Sequence, residues 1–241
     1  MITLGLDFET TGLNPEGDRV LEVGAALYST GQKKVLESAG YLVKSSVPVS
    51  EHVTAITGIT QSAVDKFGYE SKDALEALLD LADQADAFLG QNVVRFDKRF
   101  LENWARREGL AFPNKLWIDS RTDLPGTEGK HLNYMAADEG FLNLFPHSAL
   151  TDVLTVIKLT QRHDFNKIVE RAQSPTVVLL GHQKREDNNL AKARKFSWNG
   201  DYRVWWKTVK QLDVEAEVVA AKFDISFAPP EILIEKLWYG N

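Results

Sequence analysis

Apolar positions fall in strand-like runs through the first 45 residues and in helix-like spacings after about residue 70. Thr3 to Glu9, Arg19 to Ser29 and Lys34 to Lys44 read as three strands. The breaks between them, GLNPEG at 12–17 and TGQ at 30–32, are turn chemistry, so the strands predict an antiparallel meander. Pro48 to Thr60 has no clear period and reads as irregular. Ser71 to Ala85 puts Leu75, Leu78, Leu79 and Ala82 on one helical face, with Ser71 placed to cap it. Asp86 to Asn92 suits a buried strand. Arg95 to Glu108 spaces Phe96, Phe100 and Trp104 four apart and stops at Gly109. Lys115 to Asp119 reads as a strand, and Leu132 to Glu139 and Ser148 to Gln161 as helices. Strands followed by alternating strands and helices predict an α/β domain over residues 1–170.

Gln173-Ser174-Pro175 reads as a linker. Beyond it, 175–241 predicts a small α+β module: a strand at Thr176–Leu180, a helix at Asn188–Lys195, and a hairpin over Ser197–Lys210 turning at Asn199-Gly200. A helix at Val214–Phe223 and a strand at Ile225–Phe227 follow. Ala228-Pro229-Pro230 and the ILIEKLWYG after it read either as a docking tail or as a last packed segment.

Composition narrows the class. The chain has 241 residues, 44% hydrophobic and 26% charged, with no cysteine. Disulfide scaffolds, zinc-thiolate sites and thiol nucleophiles are excluded. No apolar run reaches 18 residues and the start lacks a basic leader, so no membrane partner and a cytoplasmic location are expected. The net charge of −6 argues against a general basic nucleic-acid coat. Residues 184–210 nevertheless hold 8 basic and 3 acidic side chains. Lys184, Arg185, Lys192, Arg194, Lys195, Arg203, Lys207 and Lys210 are interleaved there with Phe196, Trp198, Tyr202, Trp205 and Trp206. Such a cluster can grip a backbone and stack bases, or it can supply the core of a small module. The sequence leaves both open.

The chemistry-bearing segment is Leu6-Asp7-Phe8-Glu9-Thr10-Thr11-Gly12-Leu13. Residues two apart on a strand share a face, so Asp7 and Glu9 present paired carboxylates. Two such groups repel unless they share a cation, and hard oxygen ligands favour Mg²⁺ or Mn²⁺. The bland alternative is a solvated strand face.

DFETTGL resembles the first motif of the DEDD 3′-to-5′ exonucleases, the family that includes the proofreading epsilon subunit of bacterial DNA polymerase III. GQNVVRFDKRFL at 90–101 is similar to the second motif and PHSALTD at 146–152 to the third, H-x-A-L-x-D, of the subclass with histidine. TGIT at 57–60 and Asp119-Ser120 are smaller echoes. Gln91, Ser148 and Val153 depart from the usual residues, and none of the three is a ligand position. The resemblance implies a ribonuclease-H-like mixed five-stranded sheet flanked by helices. It implies two divalent cations on Asp7, Glu9, Asp97 and Asp152, with Asp7 between them, and His147 as general base. A separation of five residues keeps His147 and Asp152 off one face of a regular helix, so His147 is expected at or before the helix start.

The resemblance further implies that Thr10, Thr11, Gly12 and Leu13 hold the terminal nucleotide, with Asn92 and Phe96 at the pocket. The substrate would be a DNA 3′ end, single-stranded by preference, with a polymerase or other replication partner. An RNA-trimming exonuclease and a non-catalytic nucleic-acid-binding adaptor are the competing readings. Oligomeric state is left open.

Overall fold

The computed structural model describes residues 1–127 and 130–228. The chain forms two compact units, Met1–Ala172 and Gln173–Asn241. The expectations for Pro229, Pro230 and ILIEKLWYG lie outside the described residues.

The first unit holds a five-stranded sheet. Its strands are β1 (Ile2–Thr10), β2 (Val20–Ser29), β3 (Lys34–Leu42), β4 (Ala87–Gly90) and β5 (Leu116–Asp119). The spatial order is β3-β2-β1-β4-β5. The first three strands are antiparallel, and β4 and β5 run parallel to β1. Helices cover both faces, giving the ribonuclease-H-like fold that the motifs imply.

Alternation along β1 and β2 decides what each face does. Leu4, Leu6 and Phe8 join Val23, Ala25 and Leu27 in one core. Helices α3 (Ser71–Asp83) and α4 (Asp97–Glu108) close that face with Leu75, Leu78, Phe100, Leu101 and Trp104. Burying each such side chain contributes about 1.5–3 kcal/mol. The other face presents small residues, Gly5, Gly24 and Ala26. There α7 (Ala149–Thr160) lies close against the sheet, with α6 (Leu132–Asp138) and α8 (Phe165–Gln173) beside it. A methyl on Gly24 would lie 2.2 Å from the carbonyl carbon of Ala149, so only glycine admits the helix start here.

Four details differ from the sequence reading. The stretch from Pro48 to Thr60 is not irregular. It contains α1 (Glu51–Thr57), followed directly by α2 (Gln61–Phe67). Ser50 and Thr60 cap these helices by accepting the N–H groups of Val53 and Ala63. Seven residues give too few turns for a period to show. Ser71 does not cap α3. Its hydroxyl accepts from Trp104 Nε1 at 2.9 Å and donates to Glu108, tying α3 to α4. Helix α8 and the short α5 (Ser120–Asp123) after β5 were not foreseen. The hairpin turn is also wider than Asn199-Gly200, because Asn199 pairs with Val204 and four residues intervene. Asn199 Oδ1 accepts the N–H of Tyr202 to close that loop at 2.9 Å.

The second unit is a four-stranded antiparallel sheet of order β7-β8-β6-β9. Its strands are β6 (Thr176–His182), β7 (Ser197–Asn199), β8 (Val204–Lys210) and β9 (Asp224–Phe227). Leu179, Phe196 and Trp205 form the core on one face, with Ala191 of α9 (Asn188–Ala193) and Val214 of α10 (Val214–Ala220). Glu217 is buried beneath Arg194 and Lys207, at 2.7 and 2.8 Å.

Candidate active site

The site lies where β1 ends, on the α7 face. Asp7 and Glu9 point the same way as Gly5, as their spacing predicts. In the pairing with β2, Asp7 lies opposite Gly24 and Glu9 opposite Glu22. Gly24 therefore serves the site: its missing side chain lets the Ala149 backbone rest on the sheet beside Asp7, which brings Asp152 in the first turn of α7 over the carboxylates. Glu22 fixes the same contact by accepting the Ala149 N–H on Oε2 at 3.2 Å.

Asp97 reaches the site from another direction. The pairing of β1 with β4 stops at Gly5, so the N–H groups beyond it face no strand on that side. Asp97, the first residue of α4, accepts the Phe8 N–H on Oδ1 at 2.8 Å. It is 1% exposed, far from the surface acid that its helix position alone suggests. An acid at a helix N-terminus is also favoured by the helix dipole.

His147 stands before α7, exposed, with φ of +62°. This left-handed kink turns its N–H onto Asp152 Oδ2 at 3.1 Å. Glu9, His147 and Asp152 each offer a ligand atom, all within 4.8 Å of one another. Asp7 and Asp97 stand outside that triplet but feel its charge: Glu9 and Asp152 act on Asp7, and Glu9 on Asp97.

Burial raises Asp7 well above the usual carboxylate range, and Asp97, Asp152, Glu9 and Glu22 push it further the same way. Glu9 is pushed up to about 7, by burial first and then by Asp152 and Glu22. Burial also raises Asp97 and Asp152, against the opposing pull of the N–H groups they accept. Acids so crowded ionise together only beside added positive charge. The carboxylate oxygens are hard donors that suit a divalent cation, with the His147 imidazole beside them.

The residues expected at the terminal nucleotide lie in the bend after β1 and in the segment between β4 and α4. Thr10 donates to Gly12 O at 2.6 Å, and Thr11 donates to Asp18 at 2.9 Å. These bonds set the bend after β1, where a methyl on Gly12 would strike the Asp18 carboxylate. Leu13 is 84% exposed at the tip. Asn92 adopts φ of +57°, a region asparagine tolerates, and its N–H donates to Asp119 at 2.8 Å. Phe96 is half-buried, with its ring 4.8 Å from that of Phe100.

Two contributors were missed by the sequence reading, and a third was noticed without its role. Glu22 lies in an ordinary-looking strand and is found only from the β1–β2 register. Asn143 donates to Asp152 Oδ1 from a loop without a motif. Asp119 was noticed for its place after the second motif, but its work, holding the Asn92 bend and drawing on Asp123 for its own N–H, shows only in the fold. Burial pushes Asp119 up to about 6, with Asp123 adding to the rise and the Arg121 N–H opposing it.

Residues 4–160 match the family model for RNase_T exonucleases. The chain belongs to the RNase_T exonuclease family. That family is one of exonuclease enzymes. Part of this exonuclease is 36% identical, over 104 residues, to the PolC-type DNA polymerase III of Thermotoga maritima. That match takes in 42% of the chain and 7% of the polymerase. The PolC-type polymerase of Mycoplasmopsis pulmonis is 30% identical over 114 residues, covering 47% of this chain and 8% of that one. The exonuclease thus spans a small fraction of the length of these relatives.

Solved structures share the fold at lower identity. E. coli exonuclease I in complex with a dA16 oligonucleotide aligns with a TM-score of 0.65 at 15% identity, over 92% of this chain and 68% of that one. The nuclease domain of 3′hExo, a DEDDh family member bound to rAMP, aligns at 0.56 and 20% identity, over 67% and 90%. Among the described residues no helix is long and apolar enough to cross a membrane.

Proposed function

We propose that this exonuclease removes nucleotides from DNA 3′ ends, single strands preferred, and releases nucleoside 5′-monophosphates. The observation that carries the reading is the convergence of Glu9, His147 and Asp152 within 4.8 Å, beside Asp7 and Asp97. Asp7, Glu9, Asp97 and Asp152 would hold two divalent cations, Mg²⁺ or Mn²⁺, whose charge would activate water and steady the phosphate. His147, exposed and freed from the helix by its kink, removes the proton from the attacking water. Thr11 and the Gly12 backbone seat the terminal nucleotide, and Leu13 lies against its base. Asn92 and Phe96 line the pocket.

An RNA substrate is the second reading, favoured by the likeness to a nuclease domain bound to rAMP. Discrimination would rest on contacts to the 2′-hydroxyl. The likeness to PolC-type polymerases supports a replication polymerase as partner. The second unit, residues 175–241, acts as an accessory strand-holding module. Phe196 and Trp205 are its core, while Trp198 is 50% exposed and Tyr202 lies open in the hairpin loop.

The test is a gel assay with 5′-labelled single-stranded DNA, double-stranded DNA and RNA, with Mg²⁺ or Mn²⁺. A ladder shortening from the 3′ end is expected for the wild type and none for Asp7→Ala. His147→Ala should lose about 10²-fold or more. Full activity in folded Asp7→Ala would sink the proposal.

A further inference from the structure

We infer that the loop from Phe141 to His147 is a specificity element: its outer side takes an unpaired nucleobase, and its inner side holds Asp152. The inference rests on the exonuclease reading and adds a base-recognition element and a positioning residue to it.

The loop joins α6 to α7 and has two distinct sides. On the inner side, Asn143 Nδ2 donates to Asp152 Oδ1, and the His147 N–H donates to Oδ2 at 3.1 Å. Both oxygens of one carboxylate are thus oriented by a single short segment. Asn143 Oδ1 is buried without a hydrogen-bond partner among the described residues. Leaving such an acceptor unmet costs free energy. The amide is nevertheless aimed at Asp152, where its donor side serves the carboxylate.

On the outer side, Leu142, Leu144 and Phe145 are exposed, Leu144 by 73%. Three large apolar side chains standing in water within four residues mark a contact surface. Its charge says which part of a nucleic acid fits. There is no lysine or arginine from Gly140 to His147, so Leu142, Leu144 and Phe145 have no permanently charged neighbour in the loop for phosphate. What remains for it to meet is the uncharged face of a base. A paired base hides that face in the stack, whereas an unpaired one offers it. Because the same loop orients Asp152, seating a base on Leu144 and Phe145 also steadies a carboxylate of the centre. Asn143 is a positioning residue in this scheme.

Two variants separate the halves. Asn143→Ala should weaken Mn²⁺ binding by about 10-fold, the usual effect of removing a group that orients a ligand. Mn²⁺ titration followed by electron paramagnetic resonance reads this without nucleic acid or turnover. kcat should fall with little change in KM. The double variant Leu144→Ser with Phe145→Ser should bind Mn²⁺ like the wild type, yet raise KM for single strands by about 10-fold, the order of one base-stacking contact. On a strand whose 3′-terminal nucleotide is abasic, wild type and double variant should converge. Unchanged Mn²⁺ affinity in Asn143→Ala would overturn the positioning role. An equal KM penalty on normal and abasic strands would overturn the base contact. A wild type that binds Mn²⁺ but shortens no strand would strike the exonuclease reading and the base contact with it, while the Mn²⁺ titration would still decide on Asn143.

Discussion

At the scale of single residues, the site is a set of acids held above their ordinary titration range. Glu9 moves from near 4.5 to about 7 because burial removes water and Asp152 and Glu22 repel its charge. In the metal-free protein the folded state keeps a proton that the unfolded chain releases above about pH 4.5. That contribution to stability is complete below the unfolded value and is lost as pH rises toward 7. Asp7, Asp97 and Asp152 are shifted in the same direction. The melting temperature in EDTA should therefore fall between about pH 5 and about pH 7.5, and Mg²⁺ or Mn²⁺ should restore most of it. A melting temperature that climbs through that window in EDTA would contradict these electrostatics. The acids that carry the motifs were legible in the sequence because strand spacing and three ordered patterns mark them. Glu22 and Asn143 were not, because their roles come from register and loop path, which no local pattern encodes.

At the scale of elements, the decisive contact is α7 on β2. Gly24→Ala should cost about 1–3 kcal/mol, as an overpacked site does, and lower kcat by moving Asp152 off the carboxylates. Gly40→Ala is the control, since the nearest atoms to its methyl would be those of the Leu150 side chain, from 3.2 Å, rather than backbone. Equal stability for both by urea unfolding would show that α7 has slack. The hairpin of the second unit allows a similar contrast. Trp198 and Trp205 face each other across β7 and β8 with ring centres 5.6 Å apart, but only Trp205 is buried. Trp205→Ala should cost about 3–5 kcal/mol. Trp198→Ala should spare stability and weaken single-strand binding about 10-fold. Fluorescence anisotropy in an Asp7→Ala background reads the affinity, and no loss there would leave the module without a stacking role. The long strands and helices were legible because they run for several periods. Helices α1 and α2 were not, since their ends are fixed by Ser50, Gly58 and Thr60 rather than by an apolar stripe.

At the scale of the whole molecule, the first unit carries the motifs and the family match, and the second carries the tryptophan cluster. Sequence pattern assigned that cluster to neither core nor contact. The fold divides it by strand position: Trp205 lies on the inner strand β8 and joins the core with α9, whereas Trp198, opposite it on the edge strand β7, is half in water. The centre itself is assembled from segments that lie far apart along the chain: β1, the start of α4, and the loop leading into α7. No neighbouring pair of elements contains it. A ribosome working at about 5–20 residues per second therefore needs on the order of ten seconds between releasing Asp7 and releasing Asp152. During that interval the nascent chain carries an incomplete set of acids. The set is completed only when α7 emerges and settles on Gly24.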